Sequence, residues 1–151
     1  MGQYQLNTLE LAHYMQSDPV ISKFYGGVLA LDQLQYCNSR NKVYIVNLDT
    51  SSEPGSHWIC IFTLLDTPEY FDPAGLPPVD EIFQYLVFLG PKYLTNTSRV
   101  QSFVSSSCGV FCLFYCYYRC RGYSFSDIMS VFSDELLVNE VLVTSFYEDT
   151  K

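Results

Sequence analysis

Basic residues are scarce in this sequence: 8 lysines and arginines stand against 16 aspartates and glutamates, for a net charge of −8 at pH 7. An acidic surface repels phosphate backbones, so we do not expect nucleic acid as a partner. The sequence still allows a small local basic patch around Lys92 and Arg99, or around Arg119 and Arg121. Long apolar runs are also missing. The stretch 109–118 is shorter than the about 20 residues that a membrane span needs, so no membrane association is expected.

The N-terminal residues do not resemble a secretory signal peptide, because they are polar and include Glu10. We therefore expect a reducing compartment in which the six cysteines are free thiols. Four of them recur at every fourth position, at 108, 112, 116 and 120. On one straight helix the outer two would lie about 18 Å apart, too far to share a zinc ion. We predict no metal site and interpret the last three as packing residues.

Nearly half of the residues are apolar, which predicts one globular domain over 1–151 without repeats, low-complexity segments or linkers. Apolar periodicity and capping residues predict helices near 8–17, 29–37, 79–89, 108–121, 124–132 and 134–147. Runs of β-branched and aromatic residues predict strands near 42–48, 59–62, 69–71, 93–94 and 99–104. Turns or polar breaks are predicted at 26–27, 38–41, 54–55, 64–67 and 72–75.

The most informative stretch is Q-S-F-V-S-S-S-C-G-V-F-C-L-F-Y-C-Y-Y, at 101–118, where a Ser-rich loop meets an apolar helix. Cys108 stands at the helix start, where unpaired N–H groups and the helix dipole favour thiolate over thiol. Ser105, Ser106 and Ser107 are good N-cap residues for this helix. Gly109 leaves no side chain beside the sulfur, so a substrate backbone could approach closely. We predict that Cys108 is a nucleophile.

A thiol nucleophile needs a base, and the sequence has two histidines. His13 lies in a helical pattern and fits a surface or packing residue, whereas His57 stands at a loop-to-strand boundary. If the following hairpin turns near 64–65, Asp72 lies opposite His57 with Cβ atoms about 5 Å apart. A carboxylate at that distance can orient the imidazole toward Cys108. A register slip of one residue would spoil this pairing.

Acyl transfer also needs donors for a developing oxyanion, and the N–H of Cys108 is one candidate. The side-chain amide of Gln101, at the other end of the same loop, is the second. By spacing alone, an ordinary exposed glutamine at a strand end is the stronger interpretation. Trp58 has two equally weighted interpretations, as the wall of a narrow substrate channel or as a core tryptophan.

Three blocks follow one another along the chain: G-S-H-W, Y-F-D-P-A-G and V-Q-S-F-V-S-S-S-C-G-V-F-C. In this order they resemble the adenovirus-type maturation proteases (adenain), which are related to the Ulp1-type proteases. The resemblance implies His57 as base, Asp72 as orienting acid, Gln101 as oxyanion donor and Cys108 as nucleophile. Asn47, ten residues before His57, belongs to the same likeness. Together with Trp58 and Gly109, it completes the set of predicted substrate-binding positions.

What the resemblance implies about fold is an α+β adenain/Ulp1-like protease, with a small mixed sheet flanked by helices and the nucleophile at the N-terminus of a central helix. What it implies about function is a thiol endopeptidase that cleaves viral or virus-like capsid precursors near glycine. The adenoviral enzymes are basic and use DNA as a cofactor, whereas this chain is acidic, so we expect no cofactor here. Such an enzyme would act in the host cytoplasm or nucleus and in the virion, not after secretion. A non-covalent activating peptide remains open.

Three alternatives stay open at this point. Because the acid is Asp, as in the Ulp1-type enzymes, rather than the adenoviral Glu, the first is a deconjugating protease that acts on a ubiquitin-like tail. The second is a catalytically inert binding module of the same fold. The third is acetyl transfer, as in some bacterial relatives of the clan.

Overall fold

A computed structural model describes residues 4–37, 39–53, 56–63 and 66–151. Within these ranges the helices are α1 (Thr8–Ser17), α2 (Asp80–Leu89), α3 (Cys108–Cys120), α4 (Phe125–Met129) and α5 (Leu136–Thr150). The strands are β1 (Tyr25–Leu29), β2 (Val43–Asn47), β3 (Trp58–Phe62), β4 (Glu69–Phe71) and β5 (Leu94–Thr95). Short 3-10 helices span Ile21–Lys23 and Leu31–Tyr36. The turn predicted at 54–55 lies outside the described residues, as do residue 38 of the predicted break and residues 64 and 65 of the predicted hairpin turn.

The strands form one sheet in the order β1-β2-β3-β4-β5. The outer pairs, β1 with β2 and β4 with β5, are parallel, and the two inner pairs are antiparallel. Helices cover both faces of this mixed sheet. The predicted α+β class is confirmed.

The alternation of side chains along the strands separates two core layers. On β2, Val43 and Ile45 pack into the larger layer with α1, α3 and α5, whereas Tyr44 and Val46 pack into the smaller layer with α2. Helix α3 lies within the larger layer and is buried over most of its length. Its first residue, Cys108, is buried at the start of the helix.

The turn predicted at 26–27 is wrong, because both glycines lie within β1. The register of β1 against β2 shifts between Tyr25 and Gly27, as at a β-bulge. A Cβ atom on Gly26 would stand 2.3 Å from Cε1 of Tyr44, so the strand passes too close to that ring for any side chain. The glycine pair marks a bulge and a close approach instead of a turn.

The strand predicted over 99–104 is also wrong, since this segment is an irregular loop. The N–H groups of Val100 and Gln101 both donate to the carbonyl oxygen of Pro73, at 3.0 and 3.1 Å. No neighbouring strand therefore pairs with them, and the segment follows the turn at 72–75 instead.

The predicted helices are present with altered bounds. The helix predicted over 29–37 is the 3-10 helix of 31–36, the helix predicted to reach 132 ends at Met129, and the last helix continues to Thr150. Among the described residues, no helix has both the length and the apolarity needed to cross a bilayer; the longest, α5, has 15 residues.

Candidate active site

His57 and Asp72 stand at neighbouring strand ends and are in direct contact. His57 immediately precedes β3, Asp72 immediately follows β4, and Nε2 of the imidazole lies 2.6 Å from Oδ1 of the carboxylate. Because an ionised carboxylate only accepts hydrogen bonds, Nε2 carries the proton of this pair. The Asp72 side chain is 2% exposed and that of His57 is 21% exposed. The pair is thus largely shielded from water.

The register that predicted this contact is nevertheless displaced by two residues. Phe62 pairs with Glu69 and Cys60 with Phe71, so the next step along the ladder places Asp72 opposite Ile59, not opposite His57. A displacement of two residues keeps every side chain on its own face of the sheet, and diagonal neighbours remain within reach of long side chains. The predicted contact therefore forms diagonally.

Asp72 is held in place by backbone groups and by Asn96. Its carboxylate accepts hydrogen bonds from the N–H groups of Ala74 at 2.8 Å and Leu76 at 3.3 Å. Asn96, which is buried just after β5, accepts from the Asp72 N–H at 2.9 Å and donates to the Asp72 carbonyl at 2.6 Å. The carboxylate cannot rotate away from His57 without breaking several of these bonds.

Cys108, the first residue of α3, lies beside the His57 ring, and its thiol contributes to raising the pKa of that ring. Because Nε2 is engaged by Asp72, Nδ1 is the ring nitrogen left to face the thiol. Burial alone would lower the pKa of His57, but the hydrogen bonds to Asp72 and Cys108 outweigh it and raise that pKa to about 9. The arrangement favours a protonated imidazole beside the sulfur.

Gln101 lines the same cleft as Cys108 and His57, although it lies at 3% exposure. Its Nε2 donates to the carbonyl oxygen of Ser105 at 3.1 Å, and its Oε1 is buried without a partner. An amide nitrogen carries two hydrogens, so one remains for a group in the cleft. The geometry does not fit an exposed glutamine at a strand end.

Ser107 does not cap α3 in the way that the sequence predicts. Ser107 occupies the N-cap position, but its side chain makes no capping hydrogen bond and its Oγ is buried without a partner. The Ser105 hydroxyl donates to Glu140 instead.

The cleft around Cys108 has a volume of about 700 Å³, and its walls are polar and apolar in nearly equal parts. Asn47 and Trp58 line it, together with residues of the loop 49–56. Oδ1 of Asn47 accepts from the N–H groups of Asp49 at 2.9 Å and Ser56 at 3.2 Å, so this residue ties the two ends of that loop together.

Trp58 fits both of its predicted interpretations. It lines the cleft, packs against the larger core layer and donates from Nε1 to the Leu6 carbonyl at 3.1 Å. Gly109 does not line the cleft. A Cβ atom there would meet Leu11 at 3.2 Å and Trp58 at 3.4 Å, so the small residue permits helix packing rather than the approach of substrate.

Other chemistry-bearing residues are placed away from the cleft. Cys112 and Cys116 are fully buried on α3, and within the described ranges no group of His, Cys, Asp or Glu is arranged to hold a metal ion. Arg119 pairs with Glu69 at 2.9 Å and Arg121 with Asp18 at 2.8 Å. These two arginines are engaged by carboxylates and do not form a free basic patch.

Sequence reasoning missed Asn96, Asn139 and Glu140. Asn139 is fully buried on α5 and donates to the Val100 carbonyl at 3.0 Å. The signal for the last two is visible in the stretch L-L-V-N-E-V-L-V, where two adjacent polar residues interrupt an otherwise apolar helix. Buried polar groups in such a position need specific partners.

The comparison with curated proteins finds a viral relative, and no family model matches the chain. Cysteine protease S273R of African swine fever virus (isolate Tick/Malawi/Lil 20-1/1983) is 26% identical over an alignment of 151 residues. That alignment covers 84% of this chain and 52% of the relative, so the chain spans about half the length of that protein.

Among solved structures, the selenomethionine form of the same viral protease matches with 23% identity and a TM-score of 0.43, over 60% of this chain and 39% of that one. The SUMO protease Ulp1, with its catalytic cysteine oxidised to a sulfinic acid, matches with 13% identity and a TM-score of 0.48, over 93% of this chain and 78% of that one. In sequence, then, the chain is similar to a viral cysteine protease, while the narrower adenoviral likeness is carried by the motifs alone.

Proposed function

We propose that this chain is a cysteine peptidase domain with Cys108 as nucleophile and His57 as general base. The observation that carries the proposal is the grouping of three side chains at the N-terminus of α3: the Asp72 carboxylate lies 2.6 Å from Nε2 of His57, and the thiol of Cys108 lies beside the same ring in one cleft. A nucleophile, a base and an orienting acid in contact are what thiol-dependent acyl transfer requires. The similarity to a viral cysteine protease supports this assignment.

In this mechanism the imidazole holds the thiol proton while sulfur attacks the peptide carbonyl carbon. The resulting oxyanion is stabilised by the backbone N–H of Cys108 and by Nε2 of Gln101. The imidazolium then protonates the departing amine, which leaves an acyl-enzyme thioester. Water, deprotonated by His57, hydrolyses the thioester and restores the free thiol.

Polypeptides are the proposed substrates, held in the cleft beside Asn47 and Trp58. Because the curated relative is a viral cysteine protease and the sequence motifs resemble adenoviral ones, we favour viral or virus-like capsid precursors cleaved near glycine. Action within the host cell and in the virion, a peptide activator and a single domain over 1–151 belong to the same proposal.

The second candidate is cleavage of a ubiquitin-like tail. The observation that favours it is that the orienting acid at position 72 is an aspartate, as in the Ulp1-type enzymes that the sequence resembles. The chemistry would be the same, and only the recognition surface would differ.

Profiling against a peptide library, with Cys108→Ala as the control, tests the proposal and defines the cleavage sequence. We expect turnover that the control lacks and labelling of Cys108 by a thiol-reactive peptide probe. Cleavage of a ubiquitin-like fusion without cleavage of capsid precursors would favour the second candidate. Labelling of Cys112 or Cys116 with Cys108 untouched would contradict both. A complete lack of turnover and labelling would favour the inert binding module instead.

A further inference from the structure

Glu140, on α5, is a buried carboxylate whose partners all lie in the loop before Cys108. It is 1% exposed, and among the described residues no lysine or arginine forms an ion pair with it. Oε2 accepts from the Ser102 N–H at 3.1 Å, and Oε1 accepts from the Ser105 hydroxyl at 2.7 Å. Burial of a carboxylate is unfavourable unless such donors replace water. The loop is therefore arranged around this side chain.

Ser105 connects Glu140 to Gln101, the proposed oxyanion donor. While its hydroxyl donates to Glu140, the same oxygen accepts from the Ser107 N–H at 3.0 Å. Its carbonyl oxygen accepts from Nε2 of Gln101 at 3.1 Å. Because Oε1 of Gln101 has no partner, this one hydrogen bond sets the orientation of the amide. The position of Gln101 thus depends on Ser105, and Ser105 depends on Glu140.

Apolar packing cannot hold the loop in place of these bonds. Its tip residues, Phe103 and Val104, are 80% and 82% exposed, so they contribute little burial. The Arg99 guanidinium lies 4.2 Å from the Phe103 ring centroid and donates to the Gln101 carbonyl at 2.7 Å, which steadies the backbone but does not touch the amide. The polar contacts from Glu140 to Ser102 and Ser105 therefore restrain the loop from which the Gln101 amide takes its hydrogen bond.

We propose that Glu140 is a positioning residue that holds the Ser102–Ser107 loop so that the Gln101 amide faces the cleft beside Cys108. The proposal rests on the peptidase activity inferred above. In this proposal a residue of α5, which is distant in sequence from the triad, affects only the stabilisation of the oxyanion. The Cys108 thiol and the His57 imidazole take no part in the hydrogen bonds that join Glu140, Ser105 and Gln101.

The test compares two reactions of Cys108 in Glu140→Gln and Glu140→Ala variants. Peptide hydrolysis forms an oxyanion, whereas alkylation by iodoacetamide forms an S–C bond and expels iodide without one. We expect kcat to fall about 10- to 100-fold in Glu140→Ala, less in Glu140→Gln, with KM nearly unchanged, since loss of a whole oxyanion donor costs about 100- to 1000-fold. The alkylation rate of Cys108, followed by mass spectrometry, should stay within about twofold of the wild type.

A double variant separates positioning from general damage to the fold. If Glu140 acts through Gln101, then Gln101→Ala combined with Glu140→Gln should be no slower than Gln101→Ala alone, because both changes remove the same interaction. Thr150→Val is the matched control, since it removes the 2.5 Å hydrogen bond between Tyr14 and the far end of α5 and does not touch the loop. It should lower the melting temperature and leave kcat unchanged.

Equal losses in hydrolysis and alkylation, or additive losses in the double variant, would overturn the positioning role. Hydrogen exchange provides a second test that does not depend on peptide turnover. In the Glu140 variants the amides of 101–107 should exchange faster, with α3 unaffected, whereas Thr150→Val should leave 101–107 unchanged. Unaltered exchange in 101–107 would refute the proposal. Absence of hydrolysis in the wild type, together with faster loop exchange, would refute the peptidase assignment alone.

Discussion

The two ends of helix α3 carry the same residue types in opposite environments. At the N-terminal end, Cys108 lines a cleft and lies beside the His57 ring. One and two turns further on, Cys112 and Cys116 are fully enclosed, and burial raises the pKa of both thiols well above the usual value. A cysteine on this helix is therefore suited to chemistry or to packing according to what surrounds it, not according to its place in the i, i+4 repeat.

The buried carboxylates near the two ends of α3 also have different partners. Near the N-terminal end, Asp72 is paired with a titratable imidazole that also contacts the thiol. Near the C-terminal end, Glu69 is paired with the Arg119 guanidinium and with the hydroxyl of Tyr115. Arginine stays protonated at every physiological pH, so the second cluster can only hold β4 against α3. Chemistry and stability are thus assigned to different turns of one helix.

The largest effect should come from replacing the thiol at the reactive end. Cys108→Ala removes the proposed nucleophile and should lower kcat/KM on the best library peptide by about 10⁴-fold or more. Cys112→Ala, one turn away, should keep kcat/KM within a few-fold of the wild type. Comparable losses in the two variants would show that the two thiols are not functionally different.

At the opposite end, breaking the buried ion pair should affect stability and not chemistry. Arg119→Met leaves the Glu69 carboxylate buried without a cation, and the free energy of unfolding should fall by about 3–5 kcal/mol. The matched control is Arg121→Met, which breaks the more exposed pair with Asp18 and should cost about 1 kcal/mol or less. Urea unfolding measures both, and equal losses would contradict the distinction.

The pair of His57 and Asp72 should make stability depend on pH in a way that the Arg119 cluster does not. The folded-state pKa of His57, about 9, exceeds its ordinary value of 6.5. The stabilisation from the protonated ring is therefore full below about pH 6.5 and is lost as the pH rises through 9.

Wild type and His57→Gln, unfolded in urea at several pH values, test this dependence. The stability advantage of the wild type should shrink by about 3 kcal/mol as the pH rises from 6.5 to above 9. An advantage that stays constant or grows with pH would contradict the sign of the pKa shift.

The smallest effect concerns the inert thiols. Sγ of Cys116 lies 3.4 Å from Sγ of Cys60 on β3, with both residues fully buried. Cys116→Ala removes one buried sulfur and should lower the free energy of unfolding by about 1 kcal/mol, with kcat unchanged. Mass spectrometry of the native protein after brief alkylation should find Cys116 unmodified, and rapid labelling there would mean that this end of α3 opens to solvent.

Local patterns predicted much of the fold, as two particular elements illustrate. Asn7 caps α1 through a reciprocal pair of hydrogen bonds with Glu10, which adjacent residues determine between themselves. The continuous apolar run of β2 predicted a strand buried on both faces, and it is one. Both features depend on residues close together in sequence, where periodicity and capping rules apply.

Contacts between distant residues could not be predicted in the same way. The pair Gly26-Gly27 indicates a turn until the ring of Tyr44 is placed against it. The segment 99–104 has the composition of a strand, but its N–H groups are taken by the Pro73 carbonyl and by Glu140. The hairpin register was off by two residues, and the contact of His57 with Asp72 formed only because that displacement preserves the face.

By itself, the sequence determined the order of helices and strands, the start of α3 at Cys108 and the choice of His57 over His13. These follow from short-range rules of periodicity, turns and helix ends. Only the tertiary structure decided which carboxylate holds which partner: Asp72 the imidazole, Glu69 the guanidinium and Glu140 the loop of Gln101. The physical reason is that a buried polar group must find its partner across the fold, and the fold selects that partner by distance rather than by sequence.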